Sequence, residues 1–198
     1  MNLDETYFDD FIRYSESPQA WYWKAYHLMG AAGVLWASRG EQRSKELVEE
    51  LGLDTEFSMG HAFRRPYLLL CGLSLELLFK AIVVAKGEKP DTKSHSLPEL
   101  ASKAGVQVTK KEEALLTILS KNVMWAGRYP VPSEKAKGDI QKLASLESRH
   151  LWNSREVPGG MLIELLPGTQ LDWEHFHQLW KHADKLYRHL EKQRNPSS

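Results

Sequence analysis

A single cysteine, Cys71, is all the sequence holds, so no internal disulfide can form and no cysteine-based metal site can be built. A surplus of charge is missing too. Lys plus Arg number 26 and Asp plus Glu 26, a formal net charge of zero that supplies no global cationic field, so any polyanion must be met by a local patch. There is no Walker loop, dinucleotide glycine fingerprint or H-E-x-x-H, and the common NTP, NAD and metalloprotease chemistries therefore have no support. Gly72-Leu73-Ser74-Leu75-Glu76 lacks the second glycine of a nucleophile elbow and falls within a helical pattern, so it does not mark a catalytic serine. Asp4, Glu5, Asp9 and Asp10 crowd the start, opposite in charge to the opening of a signal peptide. With one unpaired cysteine this fits a reducing cytosol, and the expected location is cytoplasmic.

What the chain does have is apolar surface to bury. Its 198 residues are 42% hydrophobic, enough for the core of one domain and too much for a disordered segment. Seven Trp, seven Tyr and six Phe need either that core or a partner to cover them. The run from Pro66 to Ala85 is long enough to cross a bilayer, but Glu76 and Lys80 lie at its centre. Each would cost about 2.5–3.5 kcal/mol there, so the run reads as a buried helix and no membrane association is expected.

Start and stop signals divide the chain into helices. Ser17-Pro18 opens one that ends before Gly40, Glu41 to Leu51 forms a second that stops at Gly52, and a third runs from about Phe63 to Lys86, closed by Gly87. Ser96-Leu97-Pro98-Glu99 has capping-box spacing before a short helix to Ala104. Thr109-Lys110-Lys111-Glu112 repeats that signature before a long helix through about Val123. Pro130 and Pro132 hold Tyr129 and Val131 extended, making Trp125 to Pro130 a rigid corner, and Asp139 to Leu146 has room for a helical turn or two. Pro158-Gly159-Gly160 between modest apolar runs allows a small β-hairpin near 151–166, though neither run alternates cleanly. Asp172 caps a last helix whose Trp173, Phe176, Trp180, Ala183, Tyr187 and Leu190 recur at helical steps. The expected fold is mainly all-α, an up-and-down helical bundle in a single domain over 1–198. Its parts are an extension (1–16), a core bundle (17–146), a loop or hairpin insertion (147–171), a C-terminal helix (172–193) and a tail (194–198).

Among polar residues, His175, His182 and His189 recur on one helical stripe, but successive members lie two turns, about 10.5 Å, apart, too far to share a zinc ion. They read as a solvated face, and neither metal nor cofactor is expected. Glu76 and Lys80 are spaced i,i+4 in the favourable order within an apolar helix and need polar partners if buried. They are either a structural ion pair of the bundle seam or one wall of a groove that Arg128 joins. Arg128, held between Gly127 and Tyr129-Pro130, offers a guanidinium fork for phosphate, and Tyr129 offers a stacking face.

The stretch LLCGLSLELLFKAIVVAKG (69–87), then His95-Ser96-Leu97 with Leu100, then Trp125-Ala-Gly-Arg-Tyr-Pro resembles the HEPN domains, helical bundles of prokaryotic toxin and defence proteins and of some large eukaryotic proteins. The resemblance covers about a third of the chain. It implies a homodimer with a cleft at the two-fold interface, and in many members a metal-independent ribonuclease that uses an arginine with a histidine shortly after it. Here Ser133, Glu134 and Lys135 follow Arg128 where that histidine would fall, so the acid–base role has no occupant in that segment. The R-Y-P form is similar to members associated with nucleotide binding or protein interaction. Three functions follow as expectations. The first is binding of nucleotide or RNA without standard RNase activity, with Arg128 and Lys80 on phosphate, Tyr129 stacking, and Glu76 and His95 orienting those groups. The second is a ribonuclease of a toxin–antitoxin or antiviral defence system, using Arg128 and Glu76 with His95 as a displaced catalytic histidine. The third is a ligand-free dimeric interaction module with a protein partner.

Overall fold

The computed structural model describes residues 13–14, 16–54, 56–57, 59–129, 137–150, 152–156, 163–167 and 172–195, with the backbone alone described for 59–61, 137 and both strands. The order of elements is α1 (Pro18–Ala37), α2 (Glu41–Glu50), α3 (Met59–Ala85), α4 (Leu97–Ala104), α5 (Lys110–Lys121), a π-helical turn (Asn122–Ala126), α6 (Lys137–His150), β1 (Trp152–Glu156), β2 (Ile163–Pro167) and α7 (Trp173–Arg194). The protein is an all-α helical bundle. Its one described sheet is the antiparallel pair β1–β2, with Trp152 opposite Pro167 and Glu156 opposite Ile163.

Local chemistry sets most of the helix boundaries. The Ser17 hydroxyl accepts the Ala20 amide at 3.3 Å, Thr109 and Glu112 form a reciprocal capping box, and Asp172 accepts the His175 amide at 2.9 Å. Gly87, at φ 82°, supplies the left-handed residue that ends α3. Ser96 departs from expectation, because its side chain caps nothing. The second residue of α4 is Pro98, which has no amide to give, and the Leu97 amide is instead taken by the buried hydroxyl of Ser120 at 2.8 Å. Other boundaries differ as well: α3 starts at Met59 instead of Phe63, and α6 spans 14 residues where a turn or two was expected. Tertiary contacts extend α6, since Leu143 and Glu147 are both buried. The corner expected from Trp125 begins two residues later, at Gly127, because Trp125 and Ala126 still belong to the π-helical turn. Val131 and the expected hairpin turn at Pro158–Gly160 lie outside the described residues.

Helix α3 is the central element, apolar on nearly every side, with Leu75, Leu78, Phe79, Ala81 and Ile82 fully enclosed. Helices α1 and α7 cover it on one side and α4 and α5 on the other. Helix α7 runs antiparallel to α1: Tyr187 stacks on Tyr22 at 4.3 Å near one end, and Trp173 presses on Gly33 near the other. Trp36, late in α1, meets Tyr67, early in α3, at 5.2 Å, so that pair is antiparallel too. At Gly72 α3 lies close against α5 and the π-helical turn, since a Cβ there would stand 2.6 Å from the Val123 side chain and 3.1 Å from the Leu119 carbonyl. Among the described residues, Ala62–Ala85 is a stretch long and apolar enough to cross a membrane by length and composition, and 78% of its most apolar window is buried within the bundle.

Candidate functional site

The polar groups on α3 fall at two levels along its axis. At the later level, Lys80 donates from Nζ to Oε1 of Glu76 at 2.7 Å, and the two side chains are only 3% and 5% exposed. The other oxygen of that carboxylate, Oε2, lies 3.0 Å from Nδ1 of His95, which comes from the segment just before α4. The register of that segment is held by Ser120, which receives the Leu97 amide while donating to the Leu116 carbonyl. His95 is 42% exposed and makes no hydrogen bond through Nε2 among the described residues. Glu76, Lys80 and His95 therefore converge. Lys80 and Glu76 satisfy one another below the surface, and the imidazole is the group this cluster presents to solvent.

The earlier level is built around the π-helical turn. Arg65, near the start of α3, donates to both oxygens of Glu147 on α6, at 2.7 and 3.3 Å, and to Oδ1 of Asn122 at 3.1 Å. Arg64 approaches the same carboxylate at 3.6 Å, so two guanidinium groups share one buried carboxylate. Burial holds the pKa of Arg64 below its ordinary value, with Glu147 opposing that shift and Arg65 adding to it. Asn122 is fully buried; its amide donates to the Ile118 carbonyl at 2.9 Å, and its own carbonyl accepts from Gly127 at 3.0 Å. Gly127 in turn lies so close to Leu69 that a Cβ would stand 2.9 Å from the leucine Cβ. The extra residue of the π turn thus ties Arg65 to the corner that carries Arg128 and Tyr129.

Both corner residues face solvent. Tyr129 is 57% exposed, Arg128 donates to the Met124 carbonyl, and the Arg128 guanidinium carbon sits 5.5 Å from the Tyr129 ring centre. Among the described residues neither makes a hydrogen bond or ion pair with Glu76, Lys80 or His95. Gly127 packs at the level of Leu69, and Glu76 follows two turns later, about 10 Å along the axis. The residues singled out from the sequence thus separate into a carboxylate-held histidine at one level and an arginine–tyrosine corner at another. Arg64, Arg65, Asn122 and Glu147 join the corner, and sequence reasoning missed them. Two adjacent arginines at the head of an apolar helix were the available signal; Glu147 lies 82 residues beyond Arg65, and nothing local connects them.

Among the described residues no group of three His, Cys, Asp or Glu side chains could hold a metal ion. No protein-family model, curated protein or solved structure matches the chain.

Proposed function

We propose that the protein is a HEPN-like bundle that binds an anionic ligand, a nucleotide or single-stranded RNA, at the corner formed by Arg128 and Tyr129. The observation that carries this reading is the pairing of an exposed guanidinium with an exposed aromatic ring on a turn braced from behind by Asn122 and Arg65. A phosphate needs a fork of donors and a base needs a flat π-face, and the corner presents both side by side. The test is a fluorescence titration of ATP and of a short single-stranded RNA at fixed salt. Arg128→Ala should weaken binding at least about tenfold. Unchanged affinity for both would overturn the reading.

A second reading, cleavage of RNA, rests on His95. An imidazole held through Nδ1 by a carboxylate, with its other nitrogen outward, has the arrangement of a general acid–base group, and that carboxylate is itself fixed by Lys80. Degradation of RNA by the purified protein in chelator, lost in His95→Ala, would support it. Absence of cleavage in the parent protein would remove it.

A further inference from the structure

On α2 both cations are matched by acids of the same helix: Arg43 pairs with Glu46 and Glu50, and Lys45 with Glu41. Helix α7 distributes its charge differently. Two of its acids turn toward α1, where Asp184 accepts the Tyr22 hydroxyl at 2.9 Å and Glu191 accepts the Gln19 amide, leaving their side chains only 15% and 17% exposed. Glu174, in the first turn, is the one exposed acid of this helix. Lys181, Lys185, Arg188 and Lys192 are all exposed. Arg188 donates to Asp184 and to the Tyr22 hydroxyl, both at 2.7 Å, whereas the three lysines make no hydrogen bond or ion pair among the described residues. At 100° and 1.5 Å per residue these four cations fall within an arc of about 60° and form a straight row about 16.5 Å long. In a chain whose formal net charge is zero, the row is a local patch of the kind a polyanion requires.

What the row lacks decides its partner. The exposed positions of α7 hold no Phe, Tyr, Trp or aliphatic side chain. A helix that lies in a membrane surface inserts an apolar face, and the apolar face of α7, with Phe176, Trp180, Ala183 and Tyr187, is packed inside the bundle. Stable protein interfaces are centred on aromatic and apolar anchors, which the row does not offer. A single strand brings unstacked bases that need aromatic faces, and this helix exposes none of the three aromatic types that serve best. A duplex needs neither. Its bases stack on one another, and it presents phosphates at one negative charge per about 1.7 Å of axis, which lysine meets as a compact point charge with no demand on sequence.

We propose that the outward row of α7 binds the phosphate backbone of double-stranded nucleic acid, whatever its sequence. The inference does not rest on the Arg128 corner, which is read as a site for a nucleotide or a single strand. It is tested on the full chain by fluorescence anisotropy with labelled DNA and RNA duplexes of about 16 base pairs, each in two unrelated sequences, between about 50 and 200 mM salt. The parent should bind both sequences alike, with a dissociation constant of about 10⁻⁶–10⁻⁴ M and a slope of log K against log salt of about −3 to −4 for four phosphate contacts. Lys185→Gln combined with Lys192→Gln should reduce the magnitude of that slope by about 2 and leave circular dichroism and ATP titration as in the parent. Arg128→Ala should bind duplexes as the parent does, so a failure of the corner and a failure of the row are read separately. Binding confined to the DNA or to the RNA duplex would support the row and name the source of its phosphates. No saturable binding to either duplex at the lowest salt, tighter binding of the separated strands, or an unchanged slope in the double variant would overturn the proposal. Complete displacement of the duplex by polyglutamate at equal charge would overturn it in favour of an acidic protein.

Discussion

The ammonium of Lys80 donates to Oε1 of Glu76 at 2.7 Å, one helical turn back along α3, with both side chains shut off from solvent. A buried pair of this kind is costly to break and inexpensive to replace. Lys80→Ala should lower unfolding free energy by about 3–5 kcal/mol by leaving a buried carboxylate, whereas Glu76→Leu combined with Lys80→Met should come within about 1 kcal/mol of the parent or exceed it. Urea unfolding of both variants measures the difference. A double variant as unstable as the single one would show that the pair does more than fill the seam.

Gly72 makes a sharper packing prediction. A methyl group there meets the Val123 side chain at 2.6 Å and the Leu119 carbonyl at 3.1 Å, and backbone can yield only by moving α5. Gly72→Ala should therefore cost about 1–3 kcal/mol despite the better helix propensity of alanine, and Gly72→Val more. Thermal melting followed by circular dichroism checks the order.

How much of this was legible follows the range of each interaction. The boundaries set by Ser17, Thr109 and Asp172 were readable because cap and capped amide lie within one turn. The stripe from Trp173 to Leu190 was readable because burial follows period, and Phe176, Trp180, Ala183 and Tyr187 are indeed enclosed. Ser96 misled because the hydroxyl that accepts the first amide of α4, that of Ser120, comes from another helix. Glu76 with Lys80 was legible as an i,i+4 pair, but the approach of His95 depends on a turn that only the folded chain defines. The group around Glu147 was silent for the same reason: its members come from α3, α6 and the π-helical turn, and their pattern exists in space alone.

His177 gives the bundle a pH dependence. Burial depresses its pKa below the ordinary imidazole value, Lys181 depresses it further and Glu174 works against both. Its ring stacks on Trp173 at 4.8 Å. Below about pH 6.5 the unfolded chain binds more protons at this position than the folded one, so the stability contributed by the neutral ring is present above that pH and is lost as pH falls. His177→Gln should flatten the dependence of the urea midpoint on pH below about 6.5. A slope identical to the parent's would contradict the assignment.

Tyr129 separates ring from hydroxyl at the corner. Stacking requires only the π-face, so Tyr129→Phe should bind single-stranded RNA as the parent does, while Tyr129→Ala should lose about 1–3 kcal/mol of binding free energy. Equilibrium titration of a labelled oligonucleotide distinguishes the two. Equal loss in both variants would point to the hydroxyl and away from a base platform.

The most direct measurement is an amide chemical-shift titration of the isotopically labelled protein with ATP and with a short single-stranded RNA, in constant salt. The largest, saturable shifts should fall on Trp125 to Tyr129 and on the amides around Arg64 and Arg65, with little change near Glu76. Shifts centred on His95, or no saturable shift with either ligand, would contradict it.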